Sequence, residues 1–368
     1  MGIKHLHKFL QKHAPDVYMA NQPLSAFSGK RIAIDTFLYL FQYKRQSRNK
    51  WAPSFVQLLL KMRRHHIECV LVYDTKTPLL KQPAVAERRE RRRQLESALA
   101  AAEQAKAEYV AHPDAPPPPL LLTIMARHAP KLLLRMSSSA PAFVDMRVID
   151  AEIARIDKQI VRITPEDVEL TKALATAMGI PVICAPYEAE TTASHLCCHG
   201  LVDAVLSDDT DVLVYGTPRF LTNLHGDTVT EIRASSVLES LEMTLSQFRD
   251  FCIMCGTDYN KNIFRIGCEK SFRLMKKHGS LEGIAGEGGI DIGILQHEEV
   301  RALFLVPETL EIEASAVVQQ PLQFDALSRL LAIHHCSSAV ITELLVLEKF
   351  RDNAQEVSEE TKENSTIA

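Results

Sequence analysis

No apolar run in this 368-residue chain approaches the ~20 residues that a membrane-spanning helix requires. The opening MGIKHLHKFLQKH lacks the long apolar stretch of a secretory signal. Internal repeats are absent, which removes solenoids and propellers from consideration. Cysteine is thinly spread: eight residues, scattered from Cys69 to Cys336, describe reduced thiols in an intracellular protein and no disulfide scaffold. Cys252 and Cys255 form one C-x-x-C with no second pair, and the run His195 to His199 packs its candidate ligands too tightly, so a closed tetrahedral zinc site is not expected. What the chain does have is ample core material. Apolar residues make up 46% and charged residues 24%, which excludes global disorder and allows two or three domains or one large α/β body with insertions.

The net charge of −4 conceals an asymmetry. Residues 30–93 carry 16 Lys and Arg against 5 Asp and Glu, whereas residues 281–368 carry 5 against 16. A basic N-terminal third suits a polyanionic partner, although the run Arg88 to Arg93 also fits a solvated helix face.

Four short runs read as strands buried on both faces: Arg31–Asp35, Cys69–Asp74, Ile180–Cys184 and Asp203–Asp209. Helical patterns lie between them, at Ser54–His66 and Pro165–Met178. Thr164 caps the latter, Pro165 occupies its first position and Gly179 stops it. The alternation predicts an α/β fold with a mainly parallel central sheet flanked by helices. Residues 83–150 interrupt the order. A long helix is expected over Pro83–Val110, an extended proline-rich stretch over 113–119, a second helix over Leu120–Met136 and a linker at Ser137–Pro141. The whole is expected to be an insertion without a core of its own. From Thr244 the pattern is helical, with a turn at Gly256–Asp258. The polar, acidic tail after Arg351 is expected to be disordered. The boundaries are an N-terminal part of the α/β body over 1–82, the insertion over 83–150, a second part of the same body over 151–240, a helical region over 241–350 and the tail over 351–368.

The acids fall at informative places. Asp35, Asp74 and Asp209 end strands and would converge on the carboxyl edge of the sheet, where open α/β folds bind ligands. Asp209 and Asp211, two apart, would face one side of an extended segment, and Glu188 and Glu190 would enter a helix from a loop. Asp258 adds one more acid in a turn. Any one of them alone also fits a turn or cap residue. Together they would raise one another's pKa unless hard divalent cations compensate. Two such ions can hold the attacking and leaving oxygens of a phosphodiester displacement.

The motifs MGIKHLHKFL, RIAIDTFLYLFQ, LVYDTKTPLLK, MGIPVICAPYEAET, VLSDDTDVLVYG and CIMCGTDY, in this order, resemble the structure-specific 5′ nuclease superfamily, which includes flap endonucleases and the xeroderma pigmentosum group G nuclease. The resemblance covers residues 1 to about 350. It implies a PIN-like 5′ nuclease fold with a helical arch and a C-terminal helix–two-turn–helix element. The implied activity is Mg²⁺-dependent cleavage of 5′ flap DNA near the single-strand/double-strand junction, with 5′–3′ exonuclease activity, in replication or repair. By position, the metal ligands would be Asp35, Asp74, Glu188, Glu190, Asp209, Asp211 and Asp258, holding two Mg²⁺ ions for which Mn²⁺ can substitute. Lys81 and Arg88 would contact the scissile phosphate, and their spacing of seven would let them share a helical face. Phe41 would stack on a base; the lesser alternative is a core residue that shares a helical face with Phe37 and Leu40. Gly2 would lie beside the site, and Lys270, Arg273 and Lys277 would grip the duplex.

Where the family element reads glycine–apolar–glycine–proline, this chain has Arg265, Ile266, Gly267 and Cys268, so an altered backbone is expected at Arg265 and a monovalent-cation site is left open. No sliding-clamp box is recognisable, and a monomer whose partner is DNA is expected. The small size and the divergent element suit a version carried by a large DNA virus. The protein would be nuclear if cellular, and nuclear or cytoplasmic in the host cell if viral. A relative tuned to bubbles or four-way junctions is the alternative enzyme. A silent DNA-binding module is the alternative of another class, and the presence of all seven acids weighs against it.

Overall fold

The computed structural model describes residues 2–47, 50–129, 144–287, 289–305 and 311–349. The expected linker at Ser137–Pro141, the end of the expected helix Leu120–Met136 and the expected disordered tail after Arg351 lie outside them. The chain divides into two compact units. One comprises Met1–Tyr43, Asn49–Gln82 and Ile163–Ala368, and the other Lys44–Arg48 and Pro83–Arg162.

The larger unit is built on a sheet of seven strands: β1 (Met19–Pro23), β2 (Arg31–Asp35), β3 (Glu68–Tyr73), β4 (Val182–Cys184), β5 (Ala204–Leu206), β6 (Arg219–His225) and β7 (Thr228–Arg233). Their order is β1-β7-β6-β5-β2-β3-β4. Neighbours from β6 to β4 run parallel, with Ile34 opposite Leu71 on one side and Leu206 on the other. β6, β7 and β1 form an antiparallel edge. This edge is absent from the strand runs read in the sequence, because polar residues such as Asn21, Thr222 and Thr230 break the apolar pattern there.

Both faces of the central strands are covered. Ala33, Val70 and Val72 face one apolar cluster with Leu6, Phe9, Leu196 and Phe251. Ile32, Ile34 and Leu71 face the other, with Phe55, Leu59 and Leu174. Each fully buried Ile or Leu contributes about 1.5–3 kcal/mol. The helices of this unit are α1 (Leu6–His13), α2 (Thr36–Ser47, which runs on past Tyr43) and α3 (Trp51–Arg64). In the other unit lie α4 (Gln82–Ala111), whose first residue still belongs to the larger unit, α5 (Pro119–His128) and α6 (Met146–Asp157). The larger unit resumes with α7 (Pro165–Ala177), α8 (Ala189–Cys198), α9 (Asp211–Val214), α10 (Ala234–Leu241), α11 (Leu245–Cys255) and α12 (Cys268–His278).

The smaller unit corrects one expectation: the insertion has its own core. Ala102 and Ala105 of α4 pack with Leu121, Ile124 and Met125 of α5 and with Val144 and Ile149. The buried Glu152 of α6 is held by Arg155 at 2.5 Å and by His128 of α5 at 3.1 Å. Small alanines on α4 carried no sequence signal of a packing face, yet they let the helices approach. Pro83 sits in the first turn of α4, where its missing N–H costs nothing.

α7 begins with a reciprocal Thr164–Asp167 capping box. It is followed by Gly179, whose φ of +71° turns the chain toward β4. The Gly179 carbonyl accepts from the backbone N–H of Gln320 at 2.8 Å and from the Gln319 side chain at 2.7 Å. A Cβ at Gly179 would stand 2.0 Å from the Gln320 carbonyl oxygen. We expect Gly179→Ala to destabilise the fold by about 2–4 kcal/mol, because a left-handed backbone and a clash with backbone act together. Urea denaturation checks this, and an unchanged midpoint would contradict it.

Candidate active site

Parallel strands deliver their carboxyl ends to one edge of the sheet, and the acids gather there. Asp35 is the last residue of β2 and is buried. Its carboxylate accepts from the Ser207 hydroxyl at 3.1 Å and from the Leu38 N–H at 3.4 Å. Asp74 follows β3 and accepts from the Ala189 N–H at 2.6 Å. Glu188 occupies the N-cap position of α8 and Glu190 its first turn, as the loop-to-helix placement expected. Asp209 follows β5.

Asp211 departs from expectation: it opens the short helix α9 and is not in an extended segment. The two acids still meet, because the Asp211 N–H donates to the Asp209 carboxylate at 3.0 Å, as a cap would. Asp208, between Ser207 and Asp209, turns away. It accepts from the Thr222 hydroxyl at 2.7 Å and the Asn223 N–H at 2.9 Å, a purely structural role.

Lys81 also corrects the sequence picture. It ends a 3₁₀ turn, Leu79–Lys81, ahead of α4, so it does not share a face of that helix with Arg88. Its ammonium is buried between acids. It donates to Glu188 and lies 3.6 Å from Asp258. The other Glu188 oxygen accepts from the Tyr259 hydroxyl. Tyr259 and Ser207 were not read as site residues. The tyrosine stands in the CIMCGTDY motif, but nothing there distinguishes it from a core aromatic, and a serine beside two aspartates carries no signal at all.

The electrostatics follow from crowding. Burial, then Asp74 and Asp209, push the Asp35 carboxyl up to about 7, against the Ser207 and Leu38 hydrogen bonds. Glu190 is raised well above the carboxylate range by burial, then by Asp35, Asp209 and Asp74. Asp211 is raised well above it by burial, then by Asp209, with Lys81 opposing. Asp74 and Asp209 are raised too, first by burial. Burial alone would lower the Lys81 pKa, but Glu188, Glu190 and Asp258 outweigh it and the net shift is upward. One ammonium cannot neutralise so many carboxylates.

Whether these residues fit metal ions can be tested on the donors themselves. The Asp211 Oδ1 is buried without a hydrogen-bond partner. Gly2 lies so close that a Cβ there would stand 2.1 Å from Asp209 Oδ1 and 2.8 Å from Asp211 Oδ1. No three His, Cys, Asp or Glu side chains among the described residues form a ready-made ligand group. Protein hydrogen bonds from Ser207, Ala189, Lys81 and Tyr259 hold the acids instead. The donor set, all hard oxygens and partly orphaned, fits hard divalent cations.

The remaining candidates lie elsewhere. Arg88 is on α4 in the smaller unit. Phe41, on α2, is 45% exposed, whereas Leu40 beside it is buried, so the core alternative for Phe41 fails. Lys270, Arg273 and Lys277 are exposed on α12. Arg265 keeps the left-handed backbone, with φ of +61°, so the expectation of an altered turn there is overturned.

Among known proteins, the model of the XPG N-terminal domain matches residues 1–95 and that of the XPG I-region matches residues 179–258. The probable RAD2-like endonuclease 076L of Invertebrate iridescent virus 3 is 33% identical over 339 residues, covering 84% of this chain and 87% of the relative. The chain belongs to the XPG/Rad2 family of endonucleases. It is therefore a DNA-binding nuclease that hydrolyses phosphodiester bonds, of a family that uses divalent metals. Flap endonuclease 1 of Yarrowia lipolytica is 31% identical over 337 residues, covering 84% of this chain and 78% of that protein.

The fold is shared with a solved structure of the catalytic core of Rad2 in complex with DNA substrate (TM-score 0.64, 18% identity, 93% of this chain and 100% of that one). It is also shared with flap endonuclease-1 from Methanococcus jannaschii (TM-score 0.59, 21% identity, 90% and 96%). The expected α/β architecture, with its mainly parallel sheet, is thus the observed one. No helix among the described residues is long and apolar enough to cross a membrane.

A carboxyl raised in the folded state keeps a proton that the unfolded chain has released, so its burial lowers stability as pH rises from about 4 to about 7. We expect Asp35→Asn to stabilise the metal-free protein at pH 8 by about 1–3 kcal/mol, with no gain at pH 4. Urea denaturation in a chelator at both pH values checks the sign. A loss of stability at pH 8 would contradict it.

Proposed function

We propose that the protein is a Mg²⁺-dependent endonuclease that cuts 5′ flap DNA close to the single-strand/double-strand junction. The observation that carries this reading is the convergence of Asp35, Asp74, Glu188, Glu190, Asp209, Asp211 and Asp258. These acids lie within electrostatic reach of one another, with the buried Lys81 among them. These acids would hold two divalent ions, Mg²⁺ with Mn²⁺ as a substitute. Such a pair supplies, when bound, the positive charge that offsets the developing charge on a phosphodiester.

The chain's own residues do the rest. Glu188 is fixed between Lys81 and Tyr259, which sets its carboxylate plane. Lys81 keeps its proton under the pull of its acidic neighbours, and so remains a cation able to face a phosphate oxygen. Arg88 would add a second fixed positive charge at the scissile phosphate, lowering the barrier without uniform binding. Gly2 leaves room beside Asp209 and Asp211 that any larger residue would fill. Phe41 offers an exposed ring for an unpaired base, a contact worth about 1–3 kcal/mol in single-strand binders. Lys270, Arg273 and Lys277 would hold the duplex through its phosphates. The run Arg88–Arg93 on α4 would attract a flexible single strand, which argues for a flap with a free 5′ end.

Cleavage of a labelled panel with Mg²⁺ (5′ flap, bubble, four-way junction, nicked duplex, single strand) tests the reading. The flap should be cut fastest, and a bulky protein on its 5′ end should suppress cutting when added before the enzyme. Preference for bubbles or junctions, or unimpaired cutting of the blocked flap, would reject threading. Asp209→Ala should lose nearly all cleavage while retaining DNA affinity, and wild-type-like turnover of that variant would contradict the metal assignment.

A further inference from the structure

Behind the acidic edge three thiols lie together. Cys252 and Cys255 stand near the end of α11, Cys268 opens α12, and all three belong to one buried cluster. They form no metal-ligand group. Cys255 and Cys268 are within hydrogen-bonding reach of each other. The Cys268 thiol also donates to the Lys4 carbonyl at 3.0 Å, and the Lys4 N–H donates to the Gly256 carbonyl at 3.0 Å. The buried Ser271 hydroxyl lies beside Cys255 and has no other hydrogen-bond partner among the described residues.

The two thiols differ as a reactive and a resolving sulfur must. Cys268 lines a cleft of about 560 Å³ between α1 and α12, together with Lys8, Arg265 and Lys270, so a small solute reaches it. It opens an 11-residue helix, where backbone N–H groups and nearby cations favour a thiolate. The hydrogen bond from Cys255 lowers the Cys268 pKa, burial opposes it, and the net direction is down. Cys255 lies deeper, and burial holds its thiol well above the usual range. A readily ionised thiol that meets solvent and has a second sulfur at hand is the setting in which oxidation is selective.

We propose that Cys268 is a peroxide-reactive thiol and that Cys255 resolves it into an internal disulfide, which slows cutting until a thiol reductant reopens it. The Cys268 thiolate attacks hydrogen peroxide: an S–O bond forms, the O–O bond breaks, and the departing hydroxide takes up a proton to leave as water. The Cys255 sulfur then attacks the Cys268 sulfenic acid: the S–S bond forms, the S–O bond breaks, and the hydroxyl leaves as water with the Cys255 proton. Two thiols are thereby oxidised to one disulfide, and one peroxide is reduced to two waters. Closure draws the end of α11 and the start of α12 to a sulfur separation of about 2 Å. Residues 256–267, which include Asp258 and Tyr259, become a closed ring. The disulfide also lacks the proton that Cys268 gives to Lys4, so a tie to the segment carrying Gly2 is lost. The slowing rests on the reading of Asp258 as a metal ligand; the disulfide itself does not.

The test exposes the full-length, reduced, metal-free protein to hydrogen peroxide, blocks the remaining thiols with maleimide and maps the peptides by mass spectrometry. A Cys255–Cys268 disulfide should form before the exposed Cys184 or Cys198 is oxidised. Cys255→Ala should instead stop at a sulfenic acid that dimedone traps on Cys268, and Cys268→Ala should leave Cys255 reduced. After return to Mg²⁺, the oxidised wild type should cut DNA about tenfold slower or worse, since an ångström of misplacement near reacting groups has effects of this order. Dithiothreitol should restore the rate. Oxidation of Cys184 or Cys198 ahead of this pair, or a Cys252–Cys255 disulfide in its place, would overturn the site. A Cys255–Cys268 disulfide that leaves cutting unchanged would overturn the switch. Failure of the reduced wild type to cut any DNA would instead overturn the nuclease reading.

Discussion

Carboxylates of like charge crowded at one edge of a buried sheet repel, and burial makes each of them dearer to ionise. The fold nevertheless brings them together from strand ends distant in sequence. β2, β3 and β5 are adjacent and parallel, so the residues at or just beyond their carboxyl ends, Asp35, Asp74 and Asp209, cannot avoid one another. Helix entries then add Glu188, Glu190 and Asp211. The hydrophobic cores on both faces hold the strands in this register and so sustain the repulsion. Stability and function therefore pull in opposite directions at this edge, and the opposition is relieved only by positive charge.

Lys81 supplies part of that charge from within. Its ammonium is fixed by Glu188 and faces Asp258, and the acids raise its pKa despite burial. A single cation set against seven carboxylates leaves a deficit, and the deficit is what makes the edge receptive to hard cations. Tyr259 and Ser207 help in another way, by donating hydrogen bonds that orient Glu188 and Asp35 without adding charge. The smaller unit, with its own core and its internally paired Glu152, shares none of this tension.

Much of this was legible in the sequence for a physical reason. Parallel strands are short continuous apolar runs, and an acid at the end of each is a conspicuous break, so Asp35, Asp74 and Asp209 stand out without a structure. The antiparallel edge was hidden because its strands carry polar residues at the rim. The smaller unit's core was hidden because it is made partly of alanines, which read as helix formers before they read as packing. Asp211 was assigned the right company with the wrong backbone, since a two-residue spacing fits either an extended segment or a cap and the first turn it caps. Arg265 was expected to disturb a turn that the surrounding structure in fact imposes on it. Tyr259 needed three dimensions, because only the fold brings its hydroxyl to Glu188.

The central claim is that the acidic edge is compensated by divalent cations, and its most direct measurement is calorimetric titration of the metal-free protein with Mg²⁺ at pH 7 in two buffers of different ionisation enthalpy. Acids held partly protonated by burial and repulsion must release those protons when cations bind. The account predicts two ions per chain and net proton release that shrinks as pH rises past the Asp35 value of about 7. Saturable binding without proton release, or no binding in the millimolar range, would contradict it.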